Sequence, residues 1–260
     1  KLEEDPRTFT EADIEFEQVS FTYPNSSQAA LQDVSVFIKQ GEKVAIVGEN
    51  GSGKSTFVNL LCGMYQPTTG NITMGGYNLQ DNLLAARRAI SVVFQSFGRY
   101  EATIRENITI ADGTRQVLDH ELKAYTTDTG AYDFIKDQPL AFDEEVGTFS
   151  KTGNNLSGGQ WQKVALTRAL YRDKARMMIL DEPTAALDPV AEADLYRQFS
   201  KLTGDKTTIL ISHRLGITNV VDRILVFDHG RIVEDGTHAE LIKGEGKYAE
   251  MYRAQAQWYA

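Results

Sequence analysis

One cysteine, Cys62, in 260 residues rules out a disulfide within the chain and fits a reducing compartment. Its neighbours Phe57, Leu60, Leu61 and Met64 are apolar, so it reads as a small core residue rather than a nucleophile. Nowhere does the sequence approach the roughly 18 consecutive apolar residues that span a bilayer. The longest runs, Met177-Met178-Ile179-Leu180 and Ile224-Leu225-Val226-Phe227, are strand-sized. Basic charge is in deficit: 27 Lys and Arg against 36 Asp and Glu give a net −9, which argues against a surface built to neutralise a phosphate backbone. No nucleic-acid partner is expected. There is no signal peptide, internal repeat or low-complexity tract, and the chain starts at Lys1 rather than Met, as an excised piece of a longer protein would.

What remains is an ordinary globular composition, 42% hydrophobic and 24% charged, sized for one large domain or one domain with an insertion. Ile14, Phe16, Val19, Phe21 and Tyr23 alternate with polar residues apart from one slip, predicting a half-exposed strand with a bulge. A second strand is predicted over Val34 to Ile38, closed by Gly41. The run Val44-Ala45-Ile46-Val47 is continuously apolar, as in a parallel strand covered on both faces. It leads into a glycine-rich turn and an apolar helix from Ser55 to Met64. Further strands are predicted at Ser91–Phe94, Met177–Leu180, Thr208–Ile211 and Ile224–Phe227, with helices at Gln162–Tyr171 and Ala191–Leu202. This alternation predicts an α/β domain with a mainly parallel sheet. Residues 96–176 lack such strand runs and read as a mostly helical insertion.

Gly48-Glu49-Asn50-Gly51-Ser52-Gly53-Lys54-Ser55 matches the phosphate-binding P-loop, between a strand and a helix as that motif requires. Glycines let backbone N–H groups converge on phosphates, and the helix N-terminus adds positive potential. In a chain of this length a chance match is expected on the order of 1% of the time. Lys54 is placed to reach the β- and γ-phosphates of a nucleotide and the Ser55 hydroxyl to hold Mg²⁺. The strand Met177–Leu180 ends in Asp181-Glu182, the Walker B arrangement. Asp181 is the candidate Mg²⁺ ligand, and Glu182 the group that orients or deprotonates water. Leu156-Ser157-Gly158-Gly159-Gln160 opens a further helix and reads as a second anion-binding turn. Two such turns imply either two nucleotide sites or one site completed by a second subunit.

Leu-Ser-Gly-Gly-Gln, following a P-loop and preceding a Walker B strand, is the signature of ABC ATPases, and from here the sequence resembles the nucleotide-binding domain of an ABC transporter over residues 12–256. Tyr23 falls at the family's adenine-stacking aromatic, and Gln95 at the Q-loop glutamine that senses metal and water. Asp188, within Ala186-Leu187-Asp188, matches the D-loop, and His213, within Ile211-Ser212-His213-Arg214, the switch histidine. Singly, Tyr23, Gln95 and His213 read equally well as a strand aromatic, a surface glutamine and a satisfied strand-end histidine; the order of the motifs is what carries the resemblance. His120, His229 and His238 match no motif and read as surface residues.

The resemblance implies a P-loop NTPase core (12–95 and 177–260) with an antiparallel β subdomain, and an inserted helical subdomain (96–176) carrying the signature, all within one domain over 1–260. It implies ATP and Mg²⁺, with Asn50, Gly51, Ser52, Gly53, Lys54, Ser55 and Thr56 on phosphates and metal, and Gln95 also near the metal. It further implies a head-to-tail dimer of nucleotide-binding domains, homo- or heteromeric. There Ser157, Gly158, Gly159 and Gln160 of one copy complete the other's site, and Asp188 links the two. Glu182, His213, Lys54 and Gln95 are the catalytic set.

Thr103-Ile104-Arg105-Glu106-Asn107-Ile108, and Gly230-Arg231-Ile232-Val233-Glu234 followed by Gly236-Thr237-His238, are similar to the exporter branch. Its transmembrane domain precedes the ATPase on the same polypeptide, at the cytoplasmic face of the bacterial plasma membrane. Lys151 stands where exporters usually carry an acid, Phe97-Gly98-Arg99-Tyr100 departs from the commoner exporter sequence, and Lys163 replaces a frequent arginine. A soluble ABC ATPase acting on DNA or ribosomes would show coiled-coil or basic insertions or a tandem domain; none is visible. A P-loop kinase has no use for the Ser157 turn, and the exporter-like tail weighs against an importer subunit.

Overall fold

A computed structural model describes residues 9, 11–113, 115–147, 155–183 and 201–256. The chain divides into two compact units, the described residues of Lys1–Ser91, Ala175–Glu182 and Asp205–Ala260 forming one and those of Val92–Lys174 and Pro183–Gly204 the other.

In the first unit, β1 (Ile14–Thr22), β2 (Ala29–Ile38), β4 (Thr69–Met74) and β5 (Tyr77–Asn78) form an antiparallel sheet in the order β2-β1-β4-β5. The register between β1 and β2 shifts after Phe16, and Gln18 sits at φ 49°, which is the slip in alternation made physical: a bulge. The second sheet contains β3 (Lys43–Gly48), β6 (Ile90–Val93), β9 (Met177–Asp181), β10 (Thr207–Ile211), β11 (Arg223–Asp228) and β12 (Arg231–Gly236), in the order β12-β11-β3-β10-β9-β6. Strand β3 pairs parallel with β10 and β11, and β10 parallel with β9, while β12 closes the edge antiparallel. Every residue of β9 and β10 is buried, which is why their sequences run apolar without alternation. Because β3, β9 and β10 run the same way, their C-terminal ends meet at one edge, where α/β sheets bind ligands.

Helix α1 (Lys54–Leu61) lies between the two sheets: Phe57 stacks on Phe16 of β1 at 4.2 Å and meets Phe227 of β11 edge-on at 5.6 Å. It ends sooner than the predicted Met64. Gly63 takes φ 63°, and the N–H groups of Gly63 and Met64 return to the carbonyls of Leu60 and Asn59, a Schellman stop. Cys62 is buried in the core, as its neighbours suggested, and burial pushes its thiol up to about 12. Helix α2 (Leu83–Ala89) precedes β6, and α7 (His238–Leu241) and α8 (Lys247–Ala256) close the unit.

The second unit carries α3 (Ile104–Thr109), α4 (Asp119–Asp128), α5 (Tyr132–Ile135) and α6 (Gly158–Tyr171), with one short strand pair, β7 (Ala102–Thr103) and β8 (Glu145–Val146). Its core gathers Ile104, Ile108, Leu122, Ile135, Phe142, Leu156, Trp161 and Val164. Thr103 opens α3 with a capping box closed by Glu106, and Thr237 opens α7 with one closed by Glu240, so both exporter-like motifs contain a helix start. No described helix is long and apolar enough to cross a membrane. The predicted helix Ala191–Leu202 falls mostly outside the described residues.

Candidate active site

The P-loop leaves β3 through Gly48, at φ 147°, where a Cβ would lie 2.3 Å from the Phe227 carbonyl oxygen. It enters α1 through Gly53, at φ 109°, where a Cβ would lie 2.8 Å from Leu31 Cδ2 and 2.9 Å from the Ala30 carbonyl oxygen. Only glycine combines that backbone with that proximity. As N-cap, Gly53 offers no side-chain cap, and the first turn of α1 has no acid, so its leading amides keep their positive potential for a ligand anion. Lys54 is 7% exposed, and its Nζ donates to the carbonyl oxygens of Gly48 at 2.9 Å and Glu49 at 2.8 Å. Burial holds its pKa below the usual lysine value, opposed by the negative charge of Glu182, Asp181 and Glu49. Ser52 and Thr56 are buried, whereas Asn50, Gly51 and Ser55 are exposed.

Asp181 ends β9 opposite Ile211 of β10. Burial, reinforced by the neighbouring Glu182 and opposed by Lys54, raises its carboxyl to about 6. A buried acid at the end of β9 and an exposed serine at the start of α1, after β3 two strands along the same sheet, suit Mg²⁺, which takes one or two protein oxygens and completes its shell with water and phosphate. Among the described residues no cluster of three His, Cys, Asp or Glu would offer an all-protein cage.

Glu182 adopts φ 49°, a left-handed conformation that a non-glycine residue takes at a cost of about 1–3 kcal/mol. Its N–H donates to the Ile211 carbonyl at 2.9 Å, and its Oε1 lies 3.0 Å from Nδ1 of His213, two residues beyond β10. The turn carrying His213 is fixed by Ser212, whose N–H donates to Ile46 O and whose Oγ accepts from the Arg214 N–H. Tyr23 is half-buried after β1, with its hydroxyl 3.1 Å from Thr56 Oγ1 and its ring 5.3 Å from that of Tyr65. Tyr65 was not singled out from sequence. The usable signal was an aromatic two residues past the glycine that stops α1.

These residues, Tyr23, the P-loop through Thr56, Asp181, Glu182 and His213, share the first unit. Gln95 and the signature belong to the second. Gln95 is exposed two residues beyond β6. Ser157 is the exposed N-cap of α6, held between the buried Leu156 and Trp161. Its Oγ accepts from the Gln160 N–H at 3.2 Å while Gln160 Oε1 accepts from its own N–H at 2.8 Å. Gly158 and Gly159 are helical, not left-handed. The turn is therefore a capping box whose first two amides have no acceptor within the helix, rather than a glycine cradle of the P-loop kind. Arg168 of α6 donates to the carbonyl oxygens of Asn107 and Gly98, which pins the unusual Phe97–Tyr100 segment to the signature helix, and Lys163 donates to Gly130 O. Asp188 and Lys151 lie outside the described residues. His120 and His229 are exposed as expected, but His238 is half-buried, with Nδ1 2.6 Å from the Tyr248 hydroxyl.

A family model described as "ABC transporter" matches residues 31–185, more than half of the chain. The chain belongs to the ABC transporter family. It is 43% identical to the subtilin transport ATP-binding protein SpaT of Bacillus subtilis over 92% of its length and 39% of that protein's. It is 38% identical to the beta-(1→2)glucan export ATP-binding/permease protein NdvA of Bartonella bacilliformis, over 93% of this chain and 40% of that protein. A solved bacterial Atm1-family ABC exporter with ATP bound matches with a TM-score of 0.87 and 34% identity, over 96% of this chain and 43% of that one. The chain thus spans about two-fifths of the length of these relatives. Its fold is the P-loop NTPase fold of ABC proteins, with a mixed sheet, an antiparallel sheet and helices, and its reaction class is the family's ATP hydrolysis.

Proposed function

We propose that the chain is the nucleotide-binding domain of an ABC exporter, using Mg-ATP to drive a substrate across a bacterial plasma membrane through a transmembrane domain on the same polypeptide. The observation that carries the reading is the convergence, at one sheet edge, of the uncapped P-loop helix, buried Lys54 and Asp181, and the Glu182–His213 pair. Fused ATP-binding/permease relatives support the membrane partner.

Tyr23 supplies a face for adenine, while the amides of residues 50–56 and the Lys54 ammonium hold the phosphates, Lys54 exchanging its carbonyl partners for phosphate oxygens. Ser55 and Asp181 would hold Mg²⁺, which would neutralise phosphate charge, and Gln95 is the residue that senses metal and water in the family. Glu182 orients a water and accepts its proton as the water oxygen bonds to the γ-phosphorus and the bond to ADP breaks. His213 fixes the Glu182 carboxylate and contacts the γ-phosphate. Ser157 and the amides of Gly158 and Gly159, with Gln160 behind them, reach the γ-phosphate of a second copy, and Asp188 helps to couple the two sites. ATP bonded to both copies favours the closed dimer, and hydrolysis removes those bonds and reopens it.

The test is Glu182→Gln with Mg-ATP, following turnover and size beside the parent chain. Turnover should fall by about 100-fold or more, with an ATP-dependent shift from monomer to dimer. Turnover near the parent's rate would remove Glu182 from the mechanism. Loss of turnover without a dimer would remove ATP-driven closure of the isolated domain.

A further inference from the structure

Helix α8 touches three segments of the ATP site with three side chains. At its start, Lys247 Nζ lies 2.5 Å from Asp228 Oδ1 and 3.5 Å from Glu49 Oε1. Glu49 belongs to the P-loop but is 70% exposed, so that pair alone holds little. The Asp228 contact matters more. Asp228, also 3.0 Å from Nδ1 of His229, ends β11 directly after Phe227, the residue on whose carbonyl Gly48 rests. Two residues on, the Gly230 N–H donates to Ser52 O at 3.0 Å, so the turn after β11 is the floor of the P-loop. In the first turn of α8, buried Tyr248 donates its hydroxyl to Thr218 at 2.9 Å, five residues past His213, and its N–H to Glu234 at 2.7 Å. Near the helix end, Gln255 Nε2 donates to the carbonyl oxygen of His213 itself.

We propose that α8 is a brace between the P-loop floor and the switch-histidine turn, with Lys247 and Gln255 as positioning residues for ATP hydrolysis, neither touching the nucleotide. The inference rests on the ATPase reading above. The two ends act on different steps. Lys247 sets the floor under the amides that bind phosphate in ground and transition states alike, so its loss weakens binding. Gln255 sets the backbone of His213, whose partner Glu182 acts on the water, so its loss slows the chemical step. Small displacements of positioned groups are enough for such effects.

The experiment is steady-state Mg-ATP hydrolysis by the 260-residue chain and its Lys247→Met, Lys247→Arg and Gln255→Ala variants, with thermal midpoints of each. Lys247→Met should raise KM for ATP about fivefold with kcat within about twofold, and Lys247→Arg should restore KM. Gln255→Ala should lower kcat about fivefold with KM within about twofold. Parent-like constants in both variants overturn the brace. So does a fall in activity that only follows a lowered thermal midpoint, because α8 is then merely part of the fold. A parent chain with no turnover overturns the ATPase reading itself, an outcome visible before any variant is compared.

Discussion

Helices α1 and α6 both begin at glycine-bearing turns, and the two turns treat their leading amides in opposite ways. Before α1, Gly48 and Gly53 take left-handed backbones pressed against Phe227 and Ala30, and no side chain caps the helix. Before α6, the glycines are already helical, and Ser157 and Gln160 close a capping box over the start. The first turn is held open at an energetic cost, with a buried cation and a buried acid beside it. The second is largely satisfied within its own chain and keeps only two leading amides for an external anion. A binding site is thus marked less by glycine content than by polar groups the fold leaves without internal partners.

The largest effect that would break this contrast is on activity. Lys54→Met keeps the apolar stem and removes the charge that the open turn shelters, so ATP turnover should fall by about 100- to 1000-fold. Equal losses from Lys54→Met and from Ser157→Ala, measured with saturating dimer, would mean that the two turns are equivalent. Next comes stability. Gly53→Ala places a methyl 2.9 Å from the Ala30 carbonyl oxygen at a left-handed φ, and should cost about 4 kcal/mol in urea unfolding. An unchanged midpoint would mean the P-loop relaxes freely and stores no strain.

A third effect concerns pH in the nucleotide-free, chelator-treated chain. Burial raises Asp181 to about 6, above its ordinary value, so the folded state binds the proton more tightly than the unfolded state does. The sign follows. This contribution to stability is fully present below pH about 4 and is lost as pH rises to about 6, amounting to at most about 3 kcal/mol. Against Asp181→Asn, the parent should lose stability across that window in urea titrations. Parallel curves would show that burying this acid costs nothing.

The sequence made much of this legible, and unevenly. The P-loop and the strand ending in Asp181-Glu182 could be read because each combines a fixed residue spacing with an apolar run of strand length. Strands β4 and β12 were not assigned. Gly70-Asn71 puts two poor strand formers near the start of β4, and β12 is a half-exposed edge whose order is set by pairing with β11. The Glu182–His213 contact joins residues 31 apart through the adjacency of β9 and β10, which no local pattern encodes. The capping box at Ser157 is present in the sequence as Ser-x-x-Gln, but the two glycines between resemble an anion-binding turn equally well.

The smallest effect is the sharpest, because it reverses sign between the turns. Gly159 is the second residue of α6, where an alanine adopts the helical backbone without strain and loses less conformational entropy on folding. Gly159→Ala should therefore stabilise the chain by about 0.5 kcal/mol, where the same change at Gly53 destabilises it several-fold more. Ser157→Ala removes the cap's acceptor and should cost about 1 kcal/mol without touching the glycines. If Gly159→Ala is stabilising and turnover also falls, the glycine serves close approach of a ligand rather than the helix, and the second turn is a binding surface despite its cap. If it is stabilising and turnover is unchanged, close approach to the glycine is not needed, and the γ-phosphate contact comes from Ser157 and from backbone amides that an alanine carries equally well.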